Sequence, residues 1–212
     1  MPGKNEAPQN KKTAKPVEGN RLFPIFLKLE SLRLLIVGGG YVGMEKLQAV
    51  ISNSPATAIT LVAAHISDTI KEVATLYTNI RLIEKPYDIN DLTGHDIVIV
   101  AINDPAISRQ VVEDAKSKKI LVNAADKPEL CDFYLSSVVQ KGNLKIAIST
   151  NGTSPTIAKR IKEVLNETLP DEIDALLTNM QSIRNKMSGD FTEKVKQLNE
   201  LTKTLSQKNN NA

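Results

Sequence analysis

Residues 32–43 read LRLLIVGGGYVG, and this stretch decides the fold of the chain. Residues 32–37 are an apolar run typical of a buried parallel strand, and residues 44–51 have helical spacing. A strand, a Gly-x-Gly-x-x-Gly turn and a helix form the phosphate-binding corner of a dinucleotide-binding unit. The sequence therefore predicts a nucleotide site. The alternative is a glycine-rich turn of an α/β protein that binds nothing there.

The glycines of this turn have separate predicted roles. Gly38 permits the tight turn, Gly40 lets the backbone approach a pyrophosphate, and Gly43 lets the helix and the strand pack closely. All four glycines of this turn, Gly38, Gly39, Gly40 and Gly43, are candidate cofactor contacts. The N-terminus of the following helix directs unpaired N–H groups at the phosphates.

Downstream, apolar strand-like runs alternate with helical patterns. Strands are predicted at 58–63, 80–83, 96–101 and 120–123, and helices at 67–76 and 105–117. Ser67 and Asp104 are the predicted N-caps of these helices. The alternation predicts a parallel, doubly wound sheet, in which ligands bind beyond the carboxyl ends of the strands. Four strand ends are expected to converge on one cleft: 38–43, 63–65, 101–104 and 123–126.

The pattern changes after residue 132. Two apolar runs at 133–139 and 144–149, joined around residues 141–143, predict a hairpin. A helix is predicted from Pro155 to Thr168, before Pro170 breaks it. The remainder is predicted to be helical, with an apolar stripe that packs against the chain or against a partner subunit: Phe191, Val195, Leu198, Leu201 and Leu205.

The composition limits the function classes. The 212 residues carry a net charge of +3, only 4% are aromatic and none is Trp, which gives no case for nucleic-acid binding. No apolar run is long enough to span a bilayer, and a single cysteine cannot form an intramolecular disulfide. A cytoplasmic protein without membrane partners is expected, with residues 1–20 as a disordered polar tail.

Two strand ends carry candidate polar contacts. The second predicted strand ends in AAH at residues 63–65, without the acid that usually binds the ribose, so no preference between NAD and NADP can be read there. His65 either faces the ribose or adenine or is a polar loop residue. Asp126, after the fifth strand, could exchange a proton during hydride transfer or could bond its own backbone in a turn.

A third candidate is the start of the helix at residue 155. Ser154 as N-cap and Pro155 at the first helical position make its N-terminus a natural anion site, preceded by residues 151–152 and followed by Lys159. The alternative is a capped surface helix that binds nothing. Cys131 has no convincing His partner in the sequence and is predicted to be structural.

Several of these segments occur together in one known family. They are residues 22–27 (LFPIFL), 37–40 (VGGG), 122–126 (VNAAD), 131–133 (CDF) and 147–155 (AISTNGTSP). In this order and spacing, over about residues 21–170, the chain resembles the precorrin-2 dehydrogenase family, the dehydrogenase and ferrochelatase part of sirohaem synthase.

This resemblance implies an activity and an assembly. The family oxidises precorrin-2 to sirohydrochlorin with NAD⁺ as hydride acceptor, and many members also insert Fe²⁺ to give sirohaem. The implied architecture is a Rossmann domain at 21–132, a dimerisation region at 133–169 and a C-terminal helical domain at 170–212, in a homodimer. No resident metal site is expected, because two histidines and one cysteine at scattered positions do not make one.

The resemblance also implies roles for individual residues. Asp126 takes the position of the proton acceptor. Cofactor contacts fall on Tyr41, Val42, Ala64, His65 and Asn103. Substrate contacts fall on Asn123, Thr150, Asn151, Gly152, Thr153, Ser154 and Lys159. Precorrin-2 carries many carboxylates, which a helix N-terminus with nearby cations could anchor.

Two positions depart from the family pattern. Thr150 stands where some members carry a phosphorylated serine, and Asn103 replaces a carboxylate after the fourth strand. A different class of function is an NAD(H)- or tetrapyrrole-binding regulatory module without turnover. That alternative predicts nucleotide binding that is indifferent to the loss of Asp126, and no NADH.

Overall fold

The apolar run before the glycines forms the central strand of a parallel sheet. The strands are β1 (Arg33–Val37), β2 (Ala58–Ala63), β3 (Ile80–Glu84), β4 (Ile97–Val100) and β5 (Leu121–Ala124). In this computed structural model, which describes residues 19–125, 127–187 and 190–203, they lie in the order β3-β2-β1-β4-β5. The predicted Rossmann-like α/β class is confirmed.

The register of the sheet brings the strand ends to one edge. Val37 is paired with Val62 on one side and with Val100 on the other. Val100 is in turn paired with Ala124 on β5. Since all these strands run parallel, the loops that follow β1, β2, β4 and β5 leave the sheet side by side. This edge is where the sequence predicts a shared cleft.

The sheet is covered on both faces by helices, which explains why its strands are continuous apolar runs. The helices are α1 (Tyr41–Asn53), α2 (Asp68–Ala74) and α3 (Pro105–Ser117). Leu34 and Ile36 of β1 pack into a core with residues of α1 and α2. Leu35 and Val37 point to the opposite face, where they share a second core with Val111 of α3.

The predicted helix starts are correct in position but differ in their capping. The Asp104 carboxylate accepts hydrogen bonds from the backbone N–H groups of Ala106 (2.8 Å) and Ile107 (3.2 Å), so it caps α3 as predicted. Ser67 occupies the N-cap of α2, but its side chain makes no capping bond and instead lies 3.1 Å from the Thr69 hydroxyl.

A hairpin and three α-helices follow the sheet. They are β6 (Ser137–Lys141), β7 (Leu144–Ile148), α4 (Pro155–Thr168), α5 (Ile173–Lys186) and α6 (Phe191–Thr202). Short 3₁₀ helices lie at Leu29–Ser31, Ile89–Leu92 and Pro128–Leu130. The first hairpin strand begins at Ser137 rather than at the predicted Phe133. One reason is that the Phe133 carbonyl is occupied by the Asn123 side chain, at 2.8 Å, instead of by a strand partner.

Some predictions fall outside the described residues. They concern most of the N-terminal tail, Asp126, the break at 188–189, Leu205 and the last four residues. Residues 22–27, where ordered structure is predicted to begin, form neither helix nor strand, and Phe23 and Phe26 are exposed.

Every helix in the described part of the chain is too short or too polar to span a lipid bilayer.

An ion pair joins the starts of β1 and β4 and should make stability depend on pH. Both carboxylate oxygens of Asp96 accept from the Arg33 guanidinium at 3.0 Å, and one also accepts the Arg33 backbone N–H at 2.9 Å. The Arg33 side chain therefore lowers the pKa of Asp96 to about 2. Because the folded pKa is depressed, the stabilisation is present above the unfolded pKa of about 4 and is lost as pH falls through about 2.

We therefore expect Asp96→Asn to lower the melting temperature at neutral pH and to have no effect below about pH 2. Melting curves of the wild type and the variant across this range test the prediction. The exposed Glu30, converted to Gln, is the control. A difference between wild type and Asp96→Asn that persists unchanged to the lowest pH would contradict the assignment.

Candidate active site

The aligned strand ends open into a cleft of about 770 Å³. Three of its walls are the loops after β1, β2 and β4. The structure brings eight of the predicted cofactor residues to this cleft: Gly38, Gly39, Gly40, Tyr41, Val42, Ala64, His65 and Asn103. The volume lies in the range of small-molecule and cofactor sites. Of the four strand ends predicted to converge on one cleft, three therefore do so. The prediction is wrong for the fourth, because residues 123–125 at the end of β5 line a different cavity.

Close backbone packing explains three of the four glycines. A Cβ at Gly38 would lie 2.1 Å from the carbonyl oxygen of Ala101, and the residue has φ +129°. A Cβ at Gly39 would lie 2.3 Å from the carbonyl oxygen of His65. Gly43 does not line the cleft; a Cβ there would lie 2.2 Å from the carbonyl oxygen of Gly38, which fits its predicted role in helix–strand packing.

Gly40 differs because a Cβ at this residue would meet no atom within 4 Å. It is the N-cap of α1, has no side chain to bond the first helical N–H groups, and is followed by a first turn without acidic residues. The positive end of the helix therefore faces the cleft with space in front of it, which suits a phosphate group. These residues fit the pyrophosphate of a dinucleotide.

The corner beyond β2 contains a carboxylate that sequence reasoning missed. Glu84, the last residue of β3, accepts the Ile66 N–H at 2.9 Å and lies 3.4 Å from Nδ1 of the exposed His65. Its second oxygen is 3.1 Å from Nζ of Lys71. The Ile66 hydrogen bond, followed by the one from Lys71, lowers the pKa of Glu84. Glu84 is thus held by Ile66 and Lys71, and it does not itself line the cleft.

The far wall of the cleft was also missed from the sequence. It consists of Pro86 and Tyr87 after β3 and of Ala106, Ile107 and Gln110 on α3. The Tyr87 hydroxyl donates to Asp114 at 3.1 Å, and burial together with this carboxylate raises the pKa of Tyr87. Tyr87 is therefore a neutral, fixed part of the wall.

A second cavity, of about 370 Å³, lies beyond the end of β5. Of the predicted substrate residues, Asn123, Thr150 and Gly152 line it, whereas Asn151, Thr153, Ser154 and Lys159 do not. Asp126 is outside the described residues, but its neighbours in the chain, Ala125 and Lys127, both line this cavity. Sequence reasoning missed Lys46, Tyr134 and Ser149, which also line it.

The loop before α4 is held by its own hydrogen bonds. The Thr150 hydroxyl donates to the Ser154 carbonyl at 3.1 Å and lies 3.2 Å from the Ser154 N–H. Asn151 and Gly152 have φ +54° and +75°, so the chain turns sharply here. The Ser154 hydroxyl accepts the Ile157 N–H at 3.2 Å, which confirms Ser154 as the N-cap. The Ser154 hydroxyl therefore caps α4 and does not line the cavity.

Cys131 has a structural position, as predicted. Its Sγ lies 3.2 Å from both the N–H and the carbonyl of Ala124 and 3.3 Å from the carbonyl of Lys127. Burial raises the pKa of the thiol, so it is neutral at physiological pH. The thiol joins the end of β5 to the segment that follows it.

The described residues contain no group of three or more His, Cys, Asp or Glu side chains that could hold a metal ion.

Comparison with known proteins assigns the chain to a family. A model described as "Putative NAD(P)-binding" matches residues 25–137, more than half of the 212 residues, and one described as "Sirohaem biosynthesis protein central" matches residues 141–167. The chain belongs to the sirohaem-biosynthesis family of NAD(P)-binding proteins. The resemblance found from the sequence motifs is thereby confirmed, and so is the nucleotide class of the cofactor.

Relatives in this family are similar over most of the chain. Siroheme synthases of Methylococcus capsulatus and a Psychrobacter species are 33% and 35% identical over 174 and 176 residues, in each case 82% of this chain and 34% of the relative. The chain thus spans about a third of the length of these curated relatives. The solved structure of SirC, a precorrin-2 dehydrogenase, is 27% identical, with a TM-score of 0.68 over 87% of this chain and 93% of that one.

Proposed function

We propose that the chain catalyses the NAD-dependent dehydrogenation of precorrin-2 to sirohydrochlorin. One observation carries this proposal: the chain matches SirC along almost the whole length of that precorrin-2 dehydrogenase. The described geometry supports it, because the dinucleotide cleft includes the loop after β4 and a second cavity lies after the adjacent strand β5. A cofactor and a second reactant can therefore approach each other at this edge of the sheet.

In this mechanism the chain positions the two reactants and accepts a proton. The uncapped start of α1 and the loop at Gly38–Gly40 bind the pyrophosphate, and the wall around Tyr87 orients the rest of the dinucleotide. When bound, NAD⁺ supplies the hydride acceptor. Asp126, whose neighbours in sequence line the second cavity, accepts the proton that leaves the tetrapyrrole.

An anaerobic assay tests this proposal. Purified protein is mixed with NAD⁺ and precorrin-2 generated in situ, and NADH and sirohydrochlorin are followed by absorbance. Stoichiometric formation of both products is expected. Absence of turnover in a folded protein that binds NAD⁺ would contradict the proposal and favour a binding or regulatory role.

Iron insertion into sirohydrochlorin is a second candidate activity, because the curated relatives are named for siroheme as their product. Here Fe²⁺ is a substrate rather than a resident cofactor. Adding Fe²⁺ to purified sirohydrochlorin with and without the protein tests it. A rate no faster than the protein-free reaction would leave dehydrogenation as the activity of this chain.

The proposal includes a cytoplasmic location. A chain with one cysteine, which is free here, has no intramolecular disulfide and fits a reducing compartment.

We also propose that the chain forms a homodimer through the predicted region at 133–169. Ile157, Ile161 and Val164 are 52%, 41% and 58% exposed, and their spacing places them on one face of α4. An exposed apolar stripe on a helix of this length is typical of a surface that packs against a protein partner. The match of residues 141–167 to a sirohaem-biosynthesis model supports a shared role for this region.

Ile161→Glu is expected to weaken this dimer by about 30-fold or more, because it places a charge in the middle of the apolar stripe. Sedimentation equilibrium over a range of protein concentrations measures the change. Glu167→Lys, an exposed charge change on the same helix, is the control and should leave the mass unchanged. A wild-type protein that sediments as a monomer, or an Ile161→Glu protein that dimerises like wild type, would contradict the interface.

A further inference from the structure

One cation in the second cavity has no partner. Nζ of Lys127 is buried from solvent and makes no hydrogen bond, and it is the only charged amine with this property among the described residues. A buried ammonium without a partner destabilises the folded protein, because its hydration is lost and nothing replaces it. A ligand that supplies the missing partner would offset this cost. The unpartnered ammonium of Lys127 therefore indicates a binding role.

The backbone around Lys127 holds the local fold without the side chain. Its N–H donates to the Ala124 carbonyl at 3.3 Å, and its carbonyl accepts the Leu130 N–H at 3.0 Å and faces the Cys131 thiol at 3.3 Å. These bonds are unaffected by the nature of the side chain. The Lys127 ammonium therefore makes no hydrogen bond that the local fold needs.

The charge of the cavity indicates what the partner is. Lys46 also lines it, but its Nζ lies 2.7 Å from the carboxylate of the exposed Glu45, which offsets its charge. None of the described residues that line the cavity is acidic, and Asp126, the carboxylate that the proposed mechanism uses here, is not among them. Another part of the wall is formed by Thr150, Gly152 and the first residue of α4, Pro155. The positive end of this helix therefore adds to the charge of Lys127. A ligand with carboxylate groups is complementary to this surface.

We propose that Lys127 binds a carboxylate of the tetrapyrrole and so determines substrate affinity. This inference rests on the proposed function, since it identifies the protein group that meets an acidic side chain of precorrin-2 in the second cavity. Lys127 acts here as a substrate-binding residue and takes no part in the proton or hydride transfer. Lys46, which is paired with Glu45, lies on the wall of the same cavity.

Two neutral variants, Lys127→Met and Lys127→Gln, test the inference. Loss of a charge-assisted hydrogen bond should raise the KM for precorrin-2 and the Kd for sirohydrochlorin by about 10- to 100-fold, while kcat and NAD⁺ affinity stay close to wild type. Sirohydrochlorin binding is titrated by absorbance in the absence of NAD⁺, so this readout does not depend on turnover. Lys118→Met, an exposed lysine after α3, is the matched control.

Thermal unfolding of the ligand-free proteins gives an independent readout. Removal of an unpartnered buried ammonium should leave the melting temperature of Lys127→Met equal to or above that of wild type. A lower melting temperature in both neutral variants, or sirohydrochlorin binding equal to wild type, would overturn the inference and leave the proposed function standing. A wild-type protein that neither binds nor oxidises a tetrapyrrole would overturn both.

Discussion

Asp126→Asn is expected to lower kcat for NADH formation by about 10²- to 10⁴-fold, the usual contribution of a positioned general base. Asparagine keeps the size and polarity of the side chain but cannot accept the proton. The nucleotide cleft is built by other residues, so NAD⁺ affinity should be unchanged. An effect on kcat without an effect on NAD⁺ binding separates a proton-transfer role from a folding defect.

The measurement is a steady-state assay with saturating NAD⁺, together with a fluorescence titration of NADH. Glu129→Gln is the control, because Glu129 is an exposed carboxylate three residues away that does not line the second cavity. Activity of Asp126→Asn near that of Glu129→Gln would contradict the assignment. The regulatory alternative predicts equal NAD⁺ binding by both variants and no NADH from wild type.

The nucleotide cleft could be predicted from the sequence because its parts are local. The strand before the glycines, the glycine spacing and the helix after them are contiguous, and a parallel sheet then requires the other strand ends to lie at the same edge. For the same reason α4 has the predicted bounds: Ser154 and Pro155 start it and Pro170 follows its end. Such signals come from residues close together in the sequence. They predict the helix bounds correctly here because no tertiary contact overrides them.

The parts that could not be predicted depend on contacts between distant segments. Lys46 lies on α1 and Lys127 follows β5. Only the folded chain brings them to one cavity, beside residues of the hairpin and of α4. Lys159 is the converse case, because it is predicted to contact the substrate and does not line the cavity. Ala158 is buried and faces the cavity, so the next residue along the helix points about 100° away and is exposed. The closeness of Lys159 in sequence to the N-terminus of α4 did not show on which face of the helix its side chain lies.

Gly38→Ala is expected to lower stability and Gly40→Ala to lower NAD⁺ affinity, although both glycines belong to one loop. At Gly38 the backbone has φ +129° and a Cβ would meet the Ala101 carbonyl at 2.1 Å, so the substitution strains the core of the sheet edge. A cost of roughly 3 kcal/mol should lower the melting temperature by about 6–12 °C. The loop after β1 would move away from β4, and the nucleotide cleft would lose one wall.

At Gly40 the added methyl group meets no protein atom, so the melting temperature should not change. The methyl group instead occupies the space in front of α1 where the pyrophosphate approaches, and the Kd for NAD⁺ should rise by about tenfold or more. Thermal unfolding and NADH titration of the two variants therefore give opposite patterns. Equal NAD⁺ affinity in Gly40→Ala and wild type would mean that the phosphates bind elsewhere, and the helix N-terminus would lose its assigned role.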